Sequence, residues 1–455
     1  MSTLPAILGG EPLRRHSFPK RRTMGDAEKA AALAVLDTDC LSGFLGAPGP
    51  HFDGGTQVRG FEAEWARMTG TPHALTFNSL TTGLTAAMGA IGIEPGDEVI
   101  CPPYTMSASA TSALFYGGVP VFADIDPETF CIDPASVAAR ITPRTRAVVA
   151  VHLFGHPADM DALLALCKPR GIAVIEDAAQ APGCRYHGRP VGSLGCVGGF
   201  SLNYHKHIHT GEGGVMTTRD PSIARRLSLI RNHGENAVAG DSTDADLAGT
   251  IGSNYRLTEI QAAIGRAQLP RLAGILACRR ALAARLTGRL QGLPGIEPAV
   301  TKPGCEHGFY IYPIRFDADK AGLSRSQFVR AVSAELPVPS GWENTPLAEG
   351  YVKPLYLASL YQRRIALGRD GFPFNLRTGL DYRKGLCPVT ERAYEQTLLL
   401  TPLVREPLAE SDIDDFADAI EKVLAHAGEI RSLAPAASGA TPFTPTLAAG
   451  LAEVR

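Results

Sequence analysis

The chain has 455 residues, 45% of them hydrophobic, and 44 Lys and Arg against 46 Asp and Glu leave a net charge of −2. That length accommodates a large domain and a smaller one around a substantial core, while the balanced charge offers no basic footprint for nucleic acid or an anionic membrane. No apolar run reaches the roughly 18 residues of a bilayer span, and the short apolar patch near the N-terminus, followed by basic residues, is unlike a signal peptide.

The nine cysteines are scattered, with no Cys-x-x-Cys pair. That spacing suits reduced thiols in a cytoplasmic protein and argues against a zinc or iron–sulfur site, so no metal is expected. Residues 1–30 read as an arm with little periodicity, ahead of a helix over 27–37. The glycine- and proline-rich stretch 43–60 is expected to be irregular. A helix over 61–68 follows, with Phe61, Trp65 and Met68 on one face. From there strand and helix patterns alternate, the signature of an α/β fold with a mostly parallel sheet.

Strand 73–77 ends at Asn78-Ser79-Leu80-Thr81-Thr82-Gly83, and Leu84, Ala87, Met88 and Ile91 mark a face of the helix beyond. Small hydroxyl residues at such a junction gather free backbone N–H groups and a positive helix end, ready for a phosphate. Ordinary capping by Ser79 or Thr81 is the alternative. No Walker lysine and no G-x-G-x-x-G is present. Strands follow at 98–101, 119–125 and 146–154, and a helix at 159–167.

Ile172 to Ile175 is an apolar strand running into Glu176-Asp177-Ala178-Ala179-Gln180. Ligands of open α/β sheets collect at the carboxyl ends of strands. Asp177 is therefore either a buried carboxylate awaiting a partner, such as a protonated ring nitrogen, or the cap of the next helix. Two further strands, 199–202 and 213–218, are joined by a tight connection that displays Lys206 between His205 and His207. A lysine on a sheet-anchored loop becomes a nucleophile once desolvation or nearby cations remove its proton; the alternative is a solvated surface lysine.

Residues 256–291 are strongly helical, with a break at Pro270. The chain thus divides into an arm and large domain over 1–295, a smaller α+β domain over 296–430 with a strand at 310–314 and a helix over 411–427, and a tail over 431–455 whose composition is that of disordered segments. Together, the 79–81 junction, Asp177 and Lys206 form the minimum set for pyridoxal 5′-phosphate. The lysine forms the Schiff base, the Asp keeps the pyridine nitrogen protonated, and helix-end amides hold the phosphate. His205 and His207 are placed to lower the lysine pKa or relay protons.

Seven ordered stretches also carry a family resemblance: GDEVICPPYT (96–105), PVFADIDPETFCIDP (120–134), VHLFGHPADMD (151–161), VIEDAAQAPG (174–183), FSLNYHKHIHTGEGG (200–214), RNHG (231–234) and GSNYRLTEIQAAIGRAQL (252–269). Over about residues 5–425 the chain resembles the DegT-type sugar and cyclitol aminotransferases, which are fold-type-I pyridoxal phosphate enzymes. The resemblance implies that Lys206 carries the cofactor and moves the proton, that Asp177 pairs with the pyridine nitrogen, and that Gln180 lies against the ring. Ser201, five residues before the lysine, matches the phosphate-binding serine, and Ser79, Leu80 and Thr81 occupy the helix-start phosphate position. Asn254 matches an asparagine that reaches the phosphate of the neighbouring subunit, which implies a homodimer with shared sites. Two positions depart from the family. Leu80 stands where a glycine is usual, and Met106 where an aromatic ring stacks on the cofactor, so either Met106 or Tyr104 covers the ring.

The implied reaction moves an amino group from L-glutamate or L-glutamine to a keto-sugar or keto-cyclitol, and LGGEPLRR (8–15) resembles the branch acting on cyclitols. Some relatives are dehydratases that replace the lysine with histidine. Here the residue five after Ser201 and five before Gly211 is Lys206, which favours transamination. A binding protein on this fold would not need Lys206, Asp177 and Ser201 together. Acceptor contacts are expected from loops 43–60, 235–250 and 340–375, with Trp342, Tyr351 and Lys353 as candidates.

Overall fold

The computed structural model describes residues 4–234, 250–337 and 345–433. Trp342, most of loop 235–250 and the tail beyond 433 lie outside the described residues. Short apolar runs fold into a seven-stranded sheet of β1 (His73–Phe77), β2 (Glu98–Cys101), β3 (Val119–Phe122), β4 (Thr145–Val151), β5 (Ala173–Asp177), β6 (Val197–Ser201) and β7 (Gly214–Thr218), in the order β1-β7-β6-β5-β4-β2-β3. Six strands run parallel, and β7 alone runs antiparallel, between β1 and β6. Parallel strands need cover on both faces. Accordingly Val99, Ile100, Val148, Val149, Ile175, Val197, Phe200 and Val215 are all fully buried in one large core.

A second core surrounds Tyr312, Ile314, Phe316, Phe328, Leu399, Ile413, Phe416 and Ile420. It rests on an antiparallel sheet with Tyr312–Phe316 and Leu398–Thr401 at its centre, backed by helices Arg325–Glu335 and Glu410–Ala425. Between these elements the chain returns to the first core. Tyr356, Tyr361 and Tyr382 set their rings 5.1 to 5.9 Å from that of Phe122. Buried Asp124 fixes the return by accepting from the N–H groups of Val389 (2.8 Å) and Thr390 (2.9 Å).

Some boundaries differ from the sequence reading. The helix expected from residue 61 spans Thr56–Thr69, because Glu259 accepts from the N–H groups of Gly55, Gln57 and Val58 and caps it from afar. Strand β4 ends at Val151, since Leu153–Gly155 turns with Phe154 at a φ of 56°. The pair around Pro270 appears as helices Glu259–Gln268 and Leu272–Leu290. No helix among the described residues is long and apolar enough to cross a membrane.

The N-terminal arm crosses both cores. The N–H groups of Ala6 and Leu13 donate to buried Glu335 (2.7 and 2.9 Å), and Arg14 pairs with Asp412 (2.8 Å) and lies over the Phe18 ring. The arm then runs to the loop between β6 and β7.

Candidate active site

The carboxyl ends of β1 and β6 meet the start of β7. Phe77 pairs with Gly214, and Gly214 with Ser201. Gly214 approaches the next helix so closely that a Cβ there would lie 2.5 Å from the Leu80 nitrogen. Ser201 and the start of helix Leu80–Ala90 therefore share one corner. Ser79 caps this helix, its Oγ accepting from Thr82 N–H (3.1 Å). The N–H groups of Leu80 and Thr81 sit in the first turn, where no intrahelical acceptor exists. The Leu80 side chain is buried and packs on the face of Gly199, leaving only its backbone at the corner.

Asp177 ends β5, pairs with Val151 and Gly199 in the sheet, and is 4% exposed. Its Oδ2 accepts from Ser109 Oγ (2.7 Å) and its Oδ1 from Ala179 N–H (3.1 Å). Both donors are neutral, and none of the ion pairs among the described residues includes this carboxylate. Neighbouring Glu176 accepts from the N–H groups of Gly192, Leu194 and Gly195 (each 2.7 Å) and contacts His152 Nε2, fixing the strand end.

Lys206 occupies the β6–β7 connection and is 8% exposed. Its Nζ sits 4.5 Å from the centre of the Tyr310 ring. Burial lowers its pKa from 10.5 to about 8, against the opposing pull of Asp177. Gln180 accepts from Phe154 N–H (2.6 Å) and donates to the Tyr351 hydroxyl (3.0 Å). Tyr351 N–H in turn donates to the Tyr104 hydroxyl (2.8 Å). Tyr104 is fully buried behind this chain of bonds, whereas Met106 is 65% exposed. Met106 is one turn from Ser109, whose N–H donates to its carbonyl (3.2 Å). Of the two candidates to cover a bound ring, only Met106 offers a free surface.

His207 and His209 help to hold the loop. His207 contacts the Gly308 carbonyl (2.9 Å) and His209 contacts Thr23 Oγ1 (2.5 Å). Burial keeps both neutral, pushes the His209 pKa down to about 4, and lowers that of His205 to about 3 with help from the Lys206 charge. Arg21 of the arm donates to the carbonyls of Lys206 (2.9 Å) and His207 (2.8 Å).

Asn254 ends strand Ile251–Asn254 and is exposed. Its carbonyl accepts from Asn78 Nδ2 (3.4 Å), so the strand is tied to the helix-start corner of its own chain. Lys353 is exposed, while Tyr351 lies inside the site. Ser109, Tyr310 and Arg21 enter through long-range packing, and no local pattern in the sequence marks them. Among the described residues no cluster of His, Cys, Asp and Glu could hold a metal.

The sequence model of the DegT/DnrJ/EryC1/StrS aminotransferase family matches residues 47–363. The chain is 35% identical over 438 residues to an L-glutamine:2-deoxy-scyllo-inosose aminotransferase of Micromonospora echinospora, covering 94% of this chain and 100% of that relative. It is 41% identical over 279 residues to a GDP-perosamine synthase of Caulobacter vibrioides, covering 60% of this chain and 72% of the relative. Among solved structures, an aminotransferase from Psychrobacter cryohalolentis matches with a TM-score of 0.76 at 29% identity, over 90% of this chain and 100% of that one.

Proposed function

The chain belongs to the DegT/DnrJ/EryC1/StrS aminotransferase family, and from that premise we propose that it uses pyridoxal 5′-phosphate on Lys206 to move the amino group of L-glutamine onto a keto-cyclitol. The observation that carries this reading is the pairing of a buried lysine of lowered pKa with a buried carboxylate that has only neutral partners. Asp177 is hydrogen-bonded to neutral donors alone, so a protonated ring nitrogen would give it a cationic partner in direct contact. The corner formed by Ser201 and the first turn of helix Leu80–Ala90 suits a phosphate dianion, with free N–H groups and the positive helix end directed at one point.

When bound, the cofactor supplies an aldehyde that exchanges amines and a ring that withdraws electrons from the adjoining carbon. Lys206 would hold it, and its Nζ, once free, would take and return the proton at the carbon bearing the amine. A pKa near 8 leaves a usable fraction of free amine at neutral pH. Asp177 keeps the ring nitrogen protonated, with Ser109 and Ala179 N–H orienting its two oxygens. Gln180, braced by Phe154 N–H and the Tyr351 hydroxyl, would lie against the ring. Met106, the exposed one of the two candidates, would offer the ring a polarisable sulfur.

Asn254, exposed in one chain, completes the phosphate site of a second copy. Exposed Phe115 and Ile251, 63% and 78% accessible, supply apolar surface for that homodimer near the same strand. All nine cysteines are free thiols, in keeping with a cytoplasmic location. A cyclitol acceptor is favoured over a nucleotide-linked sugar because the similarity to the cyclitol enzyme runs through both chains. That to the sugar-nucleotide enzyme covers 60% of this one.

Purified protein is to be offered glutamine or glutamate with 2-deoxy-scyllo-inosose, other keto-cyclitols and nucleotide-linked keto-sugars, and the amines identified by mass spectrometry. Amination of a cyclitol from glutamine is the expected outcome. Amination of nucleotide-linked sugars alone overturns the acceptor, and no amine with any pair overturns the reaction.

A further inference from the structure

We propose that Arg21, carried on the N-terminal arm, is the positioning residue of the lysine turn: it grips the backbone behind Lys206 and so keeps the amine turned into the dry side of the site. The inference rests on the reading of Lys206 as the cofactor-bearing lysine.

The loop between β6 and β7 has little backbone bonding of its own around the lysine. Lys206 N–H reaches the Asn203 carbonyl (2.9 Å), and Thr210 N–H reaches that of Leu202 (3.0 Å). The carbonyls of three consecutive residues, His205 (3.4 Å), Lys206 (2.9 Å) and His207 (2.8 Å), instead converge on the Arg21 guanidinium. A planar fork with five donors can serve several acceptors at once, which an ammonium on a flexible stem does less well. The Arg21 side chain is only 8% exposed, and its Nε pairs with Glu406 (3.3 Å) beside the second core. Buried carbonyls must find donors, so without Arg21 this turn has to rearrange or admit water.

The grip is built into a wider lacing. Thr23 Oγ1 contacts His209 Nε2 (2.5 Å), and the Thr23 carbonyl accepts from Gln268 Nε2 (3.2 Å) and Arg271 (2.8 Å). On its amine side Lys206 faces the Tyr310 ring and the charge of Asp177, while His205 and His207 beside it are held neutral. Behind the backbone stand Arg21 and Glu406, with Arg279 within 3.8 Å of Glu406. Arg21 thus acts on Lys206 through the geometry of the turn. Loosening the turn lets water reach the amine and returns it towards an ordinary lysine.

The test uses full-length protein freed of cofactor with hydroxylamine. Acetic anhydride labelling of Lys206 is followed by peptide mass spectrometry from pH 6 to 11 in the native protein, Arg21→Ala, Arg21→Lys and Glu335→Gln. The last variant loosens the arm at its far anchor. In the native protein the labelling midpoint is expected near pH 8. In Arg21→Ala it should rise by a unit or more, lowering labelling at pH 7 by about tenfold per unit. Arg21→Lys should fall between, added guanidinium should partly restore Arg21→Ala, and Glu335→Gln should keep the native midpoint. An unmoved midpoint in a folded Arg21→Ala protein overturns the proposal. If that variant does not fold, an unmoved midpoint in Arg21→Lys does the same. Borohydride reduction of native protein with pyridoxal 5′-phosphate separates the two readings: failure to fix the cofactor on Lys206 overturns the proposed function, whereas fixation with an unmoved midpoint overturns only the role of Arg21.

Discussion

Replacing Lys206 with methionine is expected to stabilise the cofactor-free protein at neutral pH, even though it abolishes turnover. The amine has a pKa of about 8 in the folded chain, against 10.5 for an ordinary lysine. The unfolded chain therefore keeps its proton up to pH 10.5, while the native one gives it up near pH 8. Between those values the unfolded state binds more protons, so stability rises with pH; below pH 8 the whole penalty of holding a charge in the buried site remains. At pH 7 that penalty is about 3 kcal/mol. Against it stands the attraction between the ammonium and the Tyr310 ring at 4.5 Å, worth about 1–2 kcal/mol when partly desolvated. The methionine sulfur recovers part of that contact, and the net gain is about 1–3 kcal/mol. Urea unfolding of both cofactor-free proteins at pH 7 and at pH 10 measures it. A variant less stable than the parent at pH 7, or a gap that does not shrink by pH 10, would refute the reasoning.

Asp177→Asn keeps the shape but removes the charge. A carboxylate and a ring cation in contact interact by about 4 kcal/mol at the effective dielectric of such sites, so kcat should fall by about a thousandfold; a loss below tenfold in stopped-flow turnover removes Asp177 from this role. Gly214→Ala puts a methyl 2.5 Å from the Leu80 nitrogen and should weaken cofactor retention by at least about tenfold in equilibrium dialysis, with unchanged retention refuting the shared corner. Mixing Asn254→Ala with Lys206→Ala subunits should restore about one quarter of native activity if each site borrows across a two-fold interface; no recovery on mixing argues against sharing.

The residues that pattern makes visible are those set by the sheet. Asp177 and Ser201 fall at the ends of apolar strands, and Lys206 on the short connection that follows, and the structure places them as that pattern suggests. The Leu80 departure also has a local reason, since the side chain packs on Gly199 and leaves the backbone free. What sequence could not reveal is held together across hundreds of residues. Ser109 finds Asp177, Tyr351 finds Gln180, and Arg21 finds the lysine turn, each through tertiary packing that no local spacing encodes. His207 neighbours Lys206 in sequence, yet its ring contacts the carbonyl of Gly308, a partner that no local spacing marks. Likewise the glycines of 43–60 hid the first turn of a helix whose cap, Glu259, comes from a distant segment.

The one reversed strand of the main sheet has a consequence for how such a site can vary. A loop leaving a parallel strand ordinarily departs across the sheet, and its far end is tied to a helix. Because β7 runs backward beside β6, the connection bearing Lys206 leaves at Ser201 and re-enters at Gly214, its direct neighbour, across a gap of about 5 Å. Both feet of the loop stand on the same rigid floor as the corner where Ser201 and Leu80 meet. Changes at the crown need not move either foot, but buried Lys206, His207 and His209 tie it to Arg21, Gly308 and Gln268, so variation there has to be matched by those partners.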